Sequence, residues 1–190
     1  VRSDDVLDEA VARAYQEVSS KSPHLSEVER QRIAELVGIG AVRYAMVSVA
    51  SHKPLTFTWD RVLNFERNSA PFIQYAHARS CNILAKAGDG WRSAQAEYSA
   101  LSSAYEKALI VSLSTFPERV SDAAKSLKPE DVAAYANDLA STFNLFYDNV
   151  PVLKTEDAGA KAARLALVDA TRIVLANALA MLGIEAPSRM

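Results

Sequence analysis

Apolar residues recur every three or four positions along almost the whole chain, which is the spacing of helices packed by one face. Val6, Leu7, Ala10, Val11, Ala14 and Val18 follow Ser3, Asp4 and Asp5, which supply an N-cap and favourable charge for the helix dipole. A first helix is therefore expected to run to about Ser20. After Pro23, Ser26 and Glu29 have the spacing of a capping box, and Ile33, Val37, Ala41, Tyr44, Ala45 and Val49 carry a second helix. Gly38 and Gly40 lie inside it, each costing about 0.5–1 kcal/mol relative to alanine. Tight contact with a neighbouring helix is the reading that best offsets that cost.

Residues 51–58 break the pattern: Pro54 and alternating β-formers suit an extended linker, and a domain boundary is placed here. Helical spacing returns over about 59–66, 70–87, 94–115, 117–126, 130–149 and 156–182. Asn68-Ser69, Gly88-Asp89-Gly90, Pro117, Pro129, Pro151 and Gly183 punctuate these segments. No segment reads as a buried parallel strand, so a nucleotide-binding α/β sheet is not expected. The last helix is apolar almost all round, through Leu165, Leu167, Val168, Ile173, Val174, Leu175, Leu179, Met181 and Leu182, and should lie in the middle of a bundle. The fold class expected is all-α, a helical bundle over 51–190 with a helical appendage over 1–50.

Composition narrows the function. A chain of 190 residues that is 49% hydrophobic can bury a substantial core. Its 21 basic and 23 acidic residues nearly balance, so any nucleic-acid contact must be local. Cys81 has no partner for an internal disulfide, and His24, His52 and His77 have no metal-ligand spacing. The absence of a long apolar run and the acidic residues among the first 20 argue against a membrane span and a signal peptide, and a cytoplasmic location is expected. The chain opens on Val1 and a helix-like stretch, as a segment of a longer protein would.

Basic residues concentrate around the helix expected at 70–87: between 52 and 92, Lys53, Arg61, Arg67, Arg79, Lys86 and Arg92 outnumber Asp60, Glu66 and Asp89. At ~100° per residue, Ile73, Ala76, Ser80, Leu84 and Ala87 share one face of this helix. Phe72, Tyr75, Arg79, Asn82 and Lys86 share another. The first set suits packing. The second is aromatic, basic and amide-bearing, as needed to stack unpaired bases, bond their edges and hold phosphates. The same spacing suits buried aromatics with a solvated arginine, which is the commoner arrangement, and periodicity alone favours that reading. His77 and Cys81 lie four apart but lack a third catalytic partner, so a nucleophilic site is not inferred.

Several longer runs carry more information. NSAPFIQYAHAR (68–79) and LGIEAPSRM (182–190) resemble two signatures of arginyl-tRNA synthetases. VGIGAVRYAMVS and FTWDRVLNFE before them, and FPERV, FNLFYDNVPVL and RLALVDATRIVLANAL between them, follow the order that family shows, so the resemblance spans nearly the entire chain. It implies an α-helical anticodon-binding domain named for a D-A-L-R sequence, where Asp169, Ala170, Thr171 and Arg172 stand with threonine in place of leucine. Matched by motif, the resemblance assigns anticodon-loop contacts to Phe72, Tyr75, Arg79 and Met190. Phe72 stands where many members have tyrosine, keeping the ring and losing a hydroxyl. Asn82 and Lys86 join from the helical stripe. Arg189 joins from the terminus, where Gly183 and Pro187 let Ser188, Arg189 and Met190 bend back to offer a guanidinium and a thioether. Gln74 and His77 diverge from the stripe and are read as helix-positioning groups.

The resemblance further implies that 1–50 is the tail of a catalytic region whose ATP signature, lysine loop and arginine pocket are absent here. The parent reaction is ATP-dependent attachment of arginine to tRNA(Arg). No cofactor is expected in this fragment, with ATP and magnesium in the parent enzyme. The expected partners are tRNA(Arg) and the missing catalytic domain, with no membrane and a monomeric state. The alternatives are a non-catalytic helical scaffold that uses the same bundle for protein contacts, and a related class I synthetase domain of different amino-acid specificity.

Overall fold

In the computed structural model, which describes residues 2–92 and 94–190, eight α-helices occur and no strand is found among the described residues. They are α1 (Ser3–Lys21), α2 (Glu27–Val47), α3 (Trp59–Val62), α4 (Ala70–Ala87), α5 (Ala104–Ser114), α6 (Phe116–Ser126), α7 (Pro129–Asn149) and α8 (Ala158–Met181). Short 3-10 turns at Gly90–Arg92 and Tyr98–Ala100 bridge α4 and α5. No helix among the described residues is long and apolar enough to cross a membrane.

The helix ends follow from local chemistry. In α2 the Ser26 hydroxyl accepts the Glu29 N–H at 3.3 Å, while the Glu29 carboxylate accepts the Ser26 N–H at 3.0 Å, satisfying two donors that the first turn would otherwise orphan. In α1 the expected cap shifts: the helix includes Ser3, and Asp5 reaches back to the Arg2 N–H at 3.1 Å. The largest departure lies at 94–115, expected as one helix, where α5 begins only at Ala104. Ser103 and Glu106 form a capping box there, with the Ser103 N–H donating to Glu106 Oε2 at 2.8 Å and the Glu106 N–H to Ser103 Oγ at 3.2 Å. Upstream, the Glu97 N–H donates to Gly159 O at 3.0 Å, so that segment spends its backbone on the start of α8 rather than on a helix of its own. The segment at 59–66 is likewise helical only to Val62.

Helix α8 packs against α4, α5, α7 and both 3-10 turns, with Leu165, Val168, Leu175 and Leu179 fully buried, as its apolar circumference requires. Ile173 and Met181 remain exposed, so the helix is covered on most sides but not all. One core joins α4, α7 and α8 to Tyr44 of α2; a smaller one joins Ala14 and Val18 of α1 to Ile33 and Val37 of α2. Gly38 is the reason α1 and α2 lie so close, since a Cβ there would come within 2.7 Å of the Val11 backbone nitrogen.

The chain leaves α8 through Gly183, at φ +70° in the left-handed region, with the Ile184 N–H donating to Leu179 O at 2.9 Å. This turn sends residues 184–190 back along the bundle. Gly183→Ala is expected to cost about 1 kcal/mol through that backbone conformation, read as a lowered urea midpoint at unchanged slope.

Candidate nucleic-acid interface

Helix α4 is the centre of the site, and its start is firmly set. Ser69 Oγ accepts the Phe72 N–H at 3.2 Å, and the Ser69 hydroxyl donates to Asn64 O. Asn68, in the left-handed region at φ 49°, donates its N–H to Asn137 Oδ1 of α7 at 2.7 Å. Helices α2, α7 and α8 all pack on α4, and in its first ten residues only Tyr75 and Arg79 escape burial. Phe72 does not join them. It is 5% exposed and belongs to the main core, which corrects its placement on the outward stripe: ~100° per residue sets it about 60° from Tyr75, and three flanking helices leave only a narrow open strip. Stacking on a nucleobase is therefore closed to Phe72 in this conformation.

Tyr75 is 40% exposed, and its ring lies against Arg79. The Arg79 guanidinium carbon lies 4.9 Å from the Tyr75 ring centroid and 4.4 Å from that of Tyr147, while Nη1 donates to Asn144 Oδ1 at 2.7 Å. Asn144 and Tyr147, both from α7, are the site residues that sequence reasoning missed. Their one signal was the FNLFYDNVPVL run, in which the two lie three apart and so share a helix face.

The returning tail completes the site. Tyr75, Arg79, Asn82, Tyr147, Arg189 and Met190 line one groove of about 580 Å³, within the range of about 300–1,000 Å³ common for ligand sites. Lys86 lines a second groove on the other side of the Arg79–Tyr147 ridge, together with Asn82 and Lys154. Of the residues expected at the site, six of them (Tyr75, Arg79, Asn82, Lys86, Arg189 and Met190) thus border one continuous region of surface, and Phe72 alone lies beneath it. Arg189 is 77% exposed at its side chain and stands 3.9 Å from Glu29. Met190 packs partly against the α1–α2 core.

Gln74 and His77, on the buried side of α4, hold that tail. Gln74 Nε2 donates to Leu36 O of α2 at 3.2 Å and to Glu185 O at 2.8 Å; His77 Nδ1 lies 2.9 Å from Pro187 O. A carbonyl oxygen only accepts, so Nδ1 carries the histidine proton. From α2, the Arg43 guanidinium donates to Gly183 O. Burial pushes the His77 pKa below its ordinary value of about 6.5; the bond to Pro187 opposes this and the nearby Arg172 charge reinforces it. Because the folded pKa is the lower one, stability from neutral His77 is fully present above about 6.5 and is lost as pH falls through the folded value. His77→Asn, which keeps a donor without titrating, should flatten thermal stability between about pH 6.5 and 5 relative to the unmodified chain.

The sulfur of Cys81 lies 3.8 and 3.9 Å from the two His77 ring nitrogens, yet burial raises the thiol pKa, with Arg172 only partly opposing, which is opposite to the activation a nucleophile needs. The D-A-T-R run lies on α8: Asp169 pairs with Arg172 at 2.7 Å and with Arg92 at 3.4 Å. Thr171, fully buried, satisfies its hydroxyl on Leu167 O at 2.9 Å.

An all-helical bundle carrying an aromatic and basic groove has the side-chain chemistry that unpaired bases and phosphates require. Comparison with known proteins identifies the kind. Residues 73–190 match the DALR anticodon binding domain, and the chain belongs to that family. Residues 1–59 match the catalytic domain of class I tRNA synthetases of the arginine type. Arginine–tRNA ligases of Pyrococcus abyssi and Thermococcus sibiricus are each 50% identical to it, over 98% of this chain and 30% of their own length. The Thermus thermophilus arginyl-tRNA synthetase superimposes with a TM-score of 0.92 at 36% identity, covering all of this chain and 32% of that one. The chain thus spans about a third of the length of the proteins it matches.

Proposed function

We propose that this chain binds the anticodon loop of tRNA(Arg) as part of an arginyl-tRNA synthetase, the groove between α4, α7 and the returning tail being the contact surface. The observation that carries the reading is convergence: Tyr75 and Arg79 from one helix meet Arg189 and Met190 from the far end of the chain at a single open groove. Tyr75 offers a half-exposed ring face for a splayed base, and Met190 an adaptable apolar edge. Arg79, held in place by two aromatic rings and by Asn144, sets a positive charge at the groove, while Lys86 and Arg189 hold phosphates at the rim. Anticodon loops present unpaired bases next to closely spaced phosphates, which is the chemistry these groups match.

Arginine activation with ATP and magnesium, and transfer to the tRNA, are assigned to a catalytic domain lying outside this bundle. The chain alone is expected to bind tRNA without aminoacylating it. Titration of the chain with tRNA(Arg) at several salt concentrations tests this: affinity should fall as salt rises, Arg79→Ala should weaken binding roughly tenfold, and Lys86→Ala should reduce the salt slope by about 1. Salt-independent binding, or an unchanged affinity in Arg79→Ala, contradicts the proposal.

A further inference from the structure

Ser188, Arg189 and Met190 line the groove, and their own contacts there are slight: Arg189 stands 3.9 Å from Glu29 at the surface, and Met190 packs only partly against the α1–α2 core. A mobile groove wall would lose ordering entropy each time RNA bound. The hydrogen-bonded hold on this segment lies on the opposite side of α4. Gln74 is fully buried, and the two protons of its amide nitrogen go to two different elements, Leu36 O of α2 and Glu185 O of the tail. One helical turn further on, His77 donates to Pro187 O, the last carbonyl before Ser188. Both bonds read main-chain oxygens, so they fix the path of the tail whatever its side chains. The room for this arrangement comes from Gly40 of α2, where a Cβ would stand 3.0 Å from Gln74 Nε2 and 3.1 Å from Ile184 Cγ2. Ile184 and Pro187 are themselves buried, so the tail is seated as well as bonded.

We infer that Gln74 and His77 are positioning residues for the RNA-binding groove: they touch no RNA, and act by clamping the backbone of residues 185–187 so that Arg189 and Met190 form a preformed wall. The inference rests on the proposed function for its RNA readout, and has a second readout that does not. In α4 the two faces then divide the work. Tyr75 and Arg79 meet the ligand, and Gln74 and His77 hold the remaining wall in reach of it.

The test combines tail release with a double-mutant cycle in the full 190-residue chain. For RNA-free release, the rate at which carboxypeptidase trims Met190 and Arg189 is measured in the unmodified chain, His77→Leu, Gln74→Leu and His77→Asn. Asparagine can place an N–H near the position of Nδ1. Trimming should quicken several-fold in both leucine variants and stay near the unmodified rate in His77→Asn, with helical circular dichroism unchanged. For the cycle, His77→Leu should weaken binding of a tRNA(Arg) anticodon stem-loop roughly tenfold in the full chain, and less than twofold in a chain ended at Ala186, which lacks Pro187 and all that follows. Gly40→Ala keeps both clamp residues while crowding the Gln74 amide, so it supplies the same directional shifts if a leucine variant does not fold. Unchanged trimming in the folded variants overturns the clamp. Equal affinity losses with and without the tail overturn its role in the groove. Failure of the unmodified chain to bind the stem-loop contradicts the proposed function instead, while trimming still decides the clamp.

Discussion

Phe72→Ala is expected to destabilise the chain by about 3–5 kcal/mol, whereas Tyr75→Ala, three residues away on the same helix, should change stability by less than about 1 kcal/mol. The contrast follows from burial. Phe72 lies in the core that α4 forms with α7 and α8, and truncating it removes its packing while leaving a cavity the neighbouring helices fill only in part. Tyr75 has an open ring face, so its loss should appear in RNA affinity instead. Urea denaturation followed by circular dichroism checks both. Two variants of equal stability would mean that the ring environments differ less than the geometry requires. Phe72→Tyr, which adds one hydroxyl to the ring, tests the same site gently, since that hydroxyl must find a partner at the edge of the core.

The other large effect concerns Arg164 of α8 and Glu106 of α5, where Arg164→Met should cost about 3 kcal/mol and lower the melting temperature by about 6–12 °C. Glu106 is fully buried, and Arg164 Nε donates to its Oε1 at 2.8 Å while Nη1 donates to Thr155 Oγ1 at 2.8 Å. Removing the guanidinium leaves a buried carboxylate whose remaining hydrogen bonds come from Ser103, its N–H at 2.8 Å among them. Burial pushes the Glu106 pKa up, but the Ser103 and Arg164 hydrogen bonds and the Arg164 charge outweigh it, so the group titrates below its ordinary value. Stability from the pair is therefore present above the unfolded carboxylate pKa of about 4.3 and lost as pH falls through the lower folded value. The Arg164→Met penalty should accordingly shrink on acidification, because protonating Glu106 relieves the uncompensated charge. The double variant Glu106→Gln/Arg164→Met should recover much of the loss at neutral pH, and a penalty that grows on acidification would contradict this account.

Helices were readable in the sequence wherever apolar spacing ran unbroken between capping or breaking residues, as in α1, α2, α4 and α7, whose limits fall within a few residues of those the spacing predicts. Periodicity failed at 94–103 because the deciding interaction is tertiary: Glu97 donates to Gly159, far along the chain, and only the Ser103–Glu106 box restarts the helix. The site divides in the same way. The open positions of Tyr75 and Arg79 follow from one helix face, whereas the burial of Phe72 depends on three helices closing around α4, which a wheel does not contain. Tyr147 and Asn144 escaped notice because their relation to Arg79 exists only once α7 lies beside α4. Gln74 and His77 were rightly set apart from the stripe, but the tail carbonyls they hold were beyond any local pattern.

The most direct measurement is the affinity of this chain for tRNA(Arg) against the same tRNA with its anticodon replaced, for the unmodified protein and for Tyr75→Ala. The account predicts tighter binding of the arginine anticodon, and a loss in Tyr75→Ala of about 1–3 kcal/mol, or roughly 5–150-fold, confined to that tRNA. Equal affinity for the two tRNAs, or a Tyr75→Ala chain that binds tRNA(Arg) as well as the unmodified one, would contradict it.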